Sequence, residues 1–345
     1  MELGNHIKAL RQQRGVTQET LAAALGVSAQ AVSKWENQAA APDIQLLPAI
    51  STYFGVTIDE LFALSDETRM ERIQNMIWDE WELDRVTAER EIAFLLEKGR
   101  REPSNGRVYE LLANLENHRA ESRRRKAAEY AKEALTREPG LRGAHGELVR
   151  AMGGQAADWY VASHHKLIDW YKRYLEKNPT DWRGHMWLID NLIDDRRFDE
   201  ARDYCERLAK IHHTFRGTLY RGLIDWYEGN RDEAAAIWEQ MCRDHPDEWL
   251  VWFSMGDILA RMGEYERAVA HYQKALKVQT QPRYVDCLAS ISVARELMGD
   301  IPGAIASLEE EIAVLAEDWD TTTGETVDAV RREIERLKGK QKAEG

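Results

Sequence analysis

Residues 26–38 read GVSAQAVSKWENQ, from Gly26 to Gln38. Gly26 suits the left-handed residue just past a helix end. Gly26-Val27-Ser28 then makes a three-residue turn, and Ser28 can cap the helix that follows. In that helix Val32 and Trp35 recur at a three-residue spacing and define an inward face. The flanking segments carry matching punctuation. A first helix ends at Gly15. A second starts at Thr17 as N-cap and carries Leu21 and Leu25 on one face. After Pro42-Asp43 the spacing predicts a fourth helix with Ile44, Leu47 and Ile50 as its stripe, ending at Gly55. A fifth opens on Thr57-Ile-Asp-Glu60, a capping box in which each end residue satisfies the other's backbone amide.

Two helices joined by a short glycine-containing turn is the layout in which the second can lie in the DNA major groove. On these residues the stretch IKALRQQRGVTQETLAAALGVSAQAVSKWENQAAAPDIQLLPAISTYFGVTIDELF resembles the Xre/Cro family of bacterial and phage regulators. Capped helices, glycines, Trp35-Glu36-Asn37 and Pro42-Asp43 all stand in order. The resemblance implies a five-helix lambda-repressor-like domain over residues 1–65. It also implies that Gln18 anchors to a phosphate while Ser28, Ala29, Gln30, Ser33 and Lys34 face base edges. Gln30 can pair bidentately with adenine, Lys34 can donate to guanine, and the serines can serve either. Thr17, Gln18 and Asn37 can set register on phosphates without carrying a charge. An equally five-helical bundle that no longer reads DNA and serves for docking is the alternative.

The chain has 345 residues and a formal net charge of −13. Residues 1–65 hold four Lys/Arg (Lys8, Arg11, Arg14, Lys34) against six acids, and the run after Trp35-Glu36-Asn37 is Gln38-Ala39-Ala40-Ala41. Base readout needs hydrogen-bond geometry, whereas net charge chiefly sets the salt-dependent, non-specific term. Weak non-specific binding, and two half-sites held by a homodimer, are therefore expected. Eleven of the 12 tryptophans lie beyond residue 65, so composition divides the chain near residues 64–68. Cys205, Cys242 and Cys287 are odd in number and unpaired in spacing, which points to reduced thiols in a cytoplasmic protein. No apolar run approaches the ~20 residues needed to cross a bilayer.

In the remainder the informative signal is a period. Counting from Trp249 as one, Trp252, Gly256, Ala268, Tyr272 and Ala275 fall at offsets 4, 8, 20, 24 and 27, with Gly263 marking a turn. These residues look like the tetratricopeptide repeat. Counting from Phe215, Gly222, Ala234, Trp238 and Pro246 fall at 8, 20, 24 and 32; counting from Trp182, Ala201 falls at 20. AAEYAKEALTREP, ending at Pro139, and DWYKRYLEKNP, ending at Pro179, look like second helices closed by proline. The segment with Gly299 and Ala304 repeats the pattern, and residues 69–103 form a degenerate first unit. The expectation is all-α: a repeat solenoid of six to seven units over residues 66–324. Residues 325–345 follow as an amphipathic helix with Val327, Val330, Ile334 and Leu337 as its stripe. That helix either caps the array or makes a dimer contact.

A stacked array offers an extended concave face in place of a deep cleft. The resemblance places offsets 2, 5, 9, 12 and 13 of each first helix on it. Those offsets select Arg183, Asp190, Asp194, Arg216, Trp226, Tyr227, Phe253, Asp257 and Arg261 as candidates for holding a peptide or protein effector; packing and solvated surface is the plainer reading of any one of them. Adjacent histidines such as His164-His165 and His212-His213 point about 100° apart on a helix and rarely share an ion. No metal spacing, phosphate loop, cofactor motif or nucleophile elbow accompanies them, so no metal, cofactor or enzyme activity is expected. The combined layout is similar to Gram-positive RRNPP-like regulators, some of which sense short peptides. The resemblance implies a transcriptional regulator that binds a double-stranded operator and has an effector-responsive array. A tetratricopeptide interaction scaffold is the alternative.

Overall fold

The computed structural model describes residues 3–62, 66–155 and 158–344. Every regular element among them is a helix. They group into two compact units, one ending at Ala120 and the other beginning at Glu121.

In the first unit, α1 (Leu3–Gln13), α2 (Gln18–Leu25), α3 (Ala29–Glu36), α4 (Leu47–Phe54) and α5 (Ile58–Leu61) surround one core. Ile7, Leu21, Val32, Trp35, Leu47, Ile50 and Leu61 are buried in it. The chain punctuation behaves as its chemistry dictates. Gly15, Gly26 and Gly55 all have φ near +70°. The Thr17 and Ser28 hydroxyls accept from the amides of Thr20 and Ala31. Thr57 and Glu60 exchange the two bonds of the capping box. Gly4 is required for another reason: a Cβ there would lie 1.8 Å from the Trp35 carbonyl oxygen, so α1 packs backbone-close against the end of α3.

One expectation is corrected. Ile44 does not belong to the stripe of the fourth helix and is 78% exposed. Asp43 accepts from the Gln45 amide and winds Ile44–Leu46 into a tight 3₁₀ turn, so α4 begins only at Leu47. That change of winding rotates Ile44 off the face shared by Leu47 and Ile50. Beyond this domain, α6 (Asp66–Asp79), α7 (Arg85–Arg101) and the start of α8 (Gly106–Arg137) bury a second cluster of Met70, Ile73, Leu95, Val108 and Leu111.

A second correction concerns AAEYAKEALTREP. It is the end of α8, one helix of 32 residues, and no turn sets it off as the partner of a hairpin. The preceding ESRRRK stretch contains no glycine or proline to break the helix.

In the second unit, α9 (Arg142–Ala151) and the short α10 (Trp159–Ala162) precede α11 (His165–Lys177). Regular pairing then follows: α12 (Trp182–Asp194) with α13 (Phe198–Ile211), and α14 (Arg216–Glu228) with α15 (Arg231–Asp244). The same holds for α16 (Trp249–Arg261) with α17 (Tyr265–Val278), and for α18 (Asp286–Leu297) with α19 (Ile301–Trp319). Small residues set how near each pair comes. A Cβ on Gly222 would meet the Trp238 ring at 2.2 Å, and one on Gly256 the Tyr272 ring at 2.4 Å. Ala201, Ala234, Ala268 and Ala304, each at offset 20, are fully buried. The final helix, α20 (Glu325–Glu344), lays Val330, Ile334 and Leu337 against Ile301, Ala304, Ile305 and Leu308 of α19. Its apolar stripe is therefore covered within the chain.

Candidate nucleic-acid interface and the inner row of the array

The α2–turn–α3 segment is held by a buried charge network that sequence reasoning missed. Glu36 is 2% exposed. Arg11 donates to both of its carboxylate oxygens, Gln18 Nε2 donates to Oε2 at 2.8 Å, and Arg11 also reaches the Val16 carbonyl. Burial by itself would raise the Glu36 carboxyl, but the hydrogen bonds from Arg11 and Gln18 outweigh it and leave its pKa lowered. The network ties α1, the start of α2 and the end of α3 together. The one-letter signal was there, an acid directly beside core Trp35, but its partners lie 18 and 25 residues away.

The residues expected to face DNA divide by what they already do. Gln30 and Lys34 are exposed, and their side chains carry no hydrogen bond among the described residues. Thr17 and Ser28 are exposed and cap their helices through their lone pairs; the Ser28 O–H is left able to donate, whereas the Thr17 hydroxyl is already shared with Thr20 and Glu19. Asn37 is exposed and donates loosely to Ser33 at 3.4 Å. Gln18 commits one amide hydrogen to Glu36 and keeps the other. Ala29 packs its methyl partly against the core, with Ala31, and offers an outside partner little. Two of the domain's four cations are occupied: Arg11 by Glu36, and Arg14 by the Tyr53 carbonyl and the face of the Tyr53 ring.

In the array, four of the nine expected inner residues form one electrostatic group. Burial pushes the Asp190 carboxyl up to about 6, against the pull of a hydrogen bond from Tyr220 and the charges of Arg216 and Arg261. Burial also raises Asp257, which accepts from the Tyr272 hydroxyl at 2.8 Å and feels Arg261. Phe253 packs beside Tyr272 and Trp249. The other four are engaged locally. Arg183 lies 4.3 Å over the Trp182 ring, Asp194 is beside His164, Trp226 packs against Trp238, and Tyr227 stacks on Phe198 under Arg196. The hydroxyls of Tyr220 and Tyr272 complete the row. Neither stands at one of the five offsets, so only the folded pairing discloses them.

Residues 7–61 match the helix-turn-helix family and residues 221–285 match the tetratricopeptide repeat family. The chain thus joins an Xre-type helix-turn-helix domain to a tetratricopeptide array. Over 63 residues, 18% of this chain, it is 44% identical to the HTH-type transcriptional activator BcrR of Enterococcus faecalis, and it spans 31% of that protein's length. Among solved structures it is similar to a tetratricopeptide repeat protein from Parabacteroides merdae (16% identity, 79% of this chain and 97% of that one, TM-score 0.39). It is also similar to yeast Tom70 (12% identity, 87% and 75%, TM-score 0.35). Among the described residues no helix is long and apolar enough to cross a membrane.

Proposed function

We propose that this protein is a cytoplasmic, sequence-specific DNA-binding regulator that acts as a homodimer and whose array holds a peptide or protein effector. The observation that carries the reading is the state of α3. Val32 and Trp35 lock one face into the core while Gln30 and Lys34 stand exposed on the other. A rigid helix with a free amide and a free ammonium is what base-edge recognition requires. Ser28 and Ser33 flank them, and Gln18 and Asn37 supply neutral phosphate donors. The similarity to a transcriptional activator over this domain supports the same reading. The effector would lie along the row of Asp190, Arg216, Asp257 and Arg261, where alternating charges and the Phe253 ring suit a peptide. Effector binding would alter the separation of the two half-site readers, which must stay near 34 Å or a multiple of it.

A second reading rests on a specific observation: with Arg11 and Arg14 occupied, the domain keeps only Lys8 and Lys34 as cations without a hydrogen-bonded partner among the described residues. In that reading the domain positions an interaction scaffold. Selection of bound sequences from a random duplex pool by the full-length protein separates the two. A recovered two-half-site consensus, lost in the Gln30→Ala/Lys34→Ala double variant, is the expected result, each contact contributing about 1–3 kcal/mol of base discrimination. A pool that stays random after selection at low salt would sink the regulator reading.

A further inference from the structure

The first unit holds a cavity of about 360 Å³, within the range of ~300–1,000 Å³ typical of small-molecule sites. Its walls come from α1, the turn into α5, α6 and α7. Leu10, Val56, Ile73 and Met76 make the apolar part of the lining. Arg69 of α6, with Arg90 and Glu91 of α7, makes the polar part. None of the residues expected to face DNA and none of the nine inner-row candidates lines it.

The polar part is built around one buried acid. Glu91 is 5% exposed, and its two oxygens accept from Arg69 Nε and Arg90 Nε, each at 2.8 Å. Arg69 is held further by lying 4.1 Å over the Phe94 ring. A guanidinium carries five N–H donors, and each of these two spends only its Nε–H. The terminal amino groups of Arg69 and Arg90 make no hydrogen bond among the described residues. Glu91 thus fixes two forks in place and satisfies neither.

Charge sets what can complete the site. Arg72 and Glu60 also line the cavity, so three arginines face two acids, and His6 adds a ring nitrogen. The Glu60 carboxylate is already taken by the amide and hydroxyl of Thr57. One carboxylate beside two guanidinium groups leaves a positive charge partly withdrawn from water, which is costly until an anion offsets it. A single negative charge balances the wall. A metal does not fit: among the described residues no three His, Cys, Asp or Glu side chains are placed to share an ion. A phosphate dianion would overshoot the balance and leave the apolar lining uncovered. At ~30 Å³ for each water-sized group, the volume holds about a dozen non-hydrogen atoms.

We infer that this cavity binds a small apolar monocarboxylate. Its carboxylate accepts from the amino groups of Arg69 and Arg90, the fork geometry that guanidinium groups match best. Its apolar body lies against Leu10, Val56, Ile73 and Met76. Leu10 directly precedes Arg11 of the Glu36 network, so the bound acid fastens the reading domain to α6 and α7. The inference stands whether or not α3 reads DNA.

Calorimetric titration of the full-length protein with 4-phenylbutyrate and with its neutral amide, 4-phenylbutyramide, tests this. Both have the size the cavity holds, and only the acid carries the charge. Saturable binding of the acid is expected, with the amide weaker by about ten-fold or more, the scale of a lost charge-assisted hydrogen bond. Arg90→Gln should weaken the acid about ten-fold and leave the amide unaffected, since Arg69 still holds Glu91. Arg90→Lys keeps the charge beside Glu91 and loses the fork, so a several-fold loss is expected at an unchanged ligand-free Tm. No saturable heat up to about 10 mM acid, a limit on the weak side of millimolar affinity, would overturn the assignment. Equal affinity for acid and amide, or acid binding unchanged in Arg90→Gln, would do the same.

Discussion

Single residues in this chain show how position within a repeat sets chemistry. Offset 27 is apolar in three successive units, Leu208, Met241 and Ala275, all buried. In the last unit it is Glu311, 7% exposed, with Oε2 lacking any hydrogen-bond partner. Burial, and then the charge of Asp286, push its carboxyl up to about 7. A carboxyl raised in the folded state favours folding while it stays protonated, and that advantage disappears as pH rises through the folded value. The array is therefore expected to lose stability between about pH 4.3, the ordinary glutamate value, and pH 7. Glu311→Leu should raise stability at pH 8 by roughly 2–3 kcal/mol and flatten the pH dependence. Urea midpoints for the two proteins at pH 5 and pH 8 check both statements; equal midpoints at pH 8 would remove the case for a buried, costly carboxylate. Asp190, raised to about 6 by burial, acts in the same direction and should leave a smaller residual slope in the variant.

At the scale of elements, close approach between helices does most of the specifying. Gly256 lies mid-helix, where alanine would ordinarily be favoured by about 1 kcal/mol. The added methyl would sit 2.4 Å from a ring carbon of buried Tyr272, whose hydroxyl is tied to Asp257 and cannot swing away freely. Overpacking wins this contest. Gly256→Ala is expected to destabilise the array by about 1–3 kcal/mol, read as a fall in Tm. An unchanged or higher Tm would mean that the α16–α17 pair adjusts more readily than its packing indicates. The 3₁₀ turn at Ile44–Leu46 and the unbroken α8 illustrate the opposite lesson. In one case an aspartate side chain tightened a helix start, and in the other a run without breakers carried on, and apolar spacing alone discloses neither.

For the whole molecule, the relevant quantity is charge available to a polyanion. Net charge is −13, and two cations of the first domain are occupied internally. With Lys8 and Lys34 free in each of two protomers, the slope of log K against log salt should be shallow, at about −2 to −4, since each neutralised phosphate contributes about −0.9. Fluorescence anisotropy of a selected operator between 50 and 200 mM salt measures it. A slope steeper than about −6 would show that basic residues outside the first domain, such as the Arg123–Lys126 run, contact the DNA.

The five helices of the first domain, apart from the start of the fourth, the repeat register of α12–α19, and exposed Gln30 and Lys34 were legible in one dimension. Capping, left-handed glycines and period are local properties that recur at fixed spacing along the chain. The Arg11–Glu36–Gln18 network and the tyrosines behind Asp190 and Asp257 were decided only by tertiary structure. Each depends on side chains distant in sequence arriving within hydrogen-bond reach, and burial then sets whether their charges attract, neutralise or stay unmet.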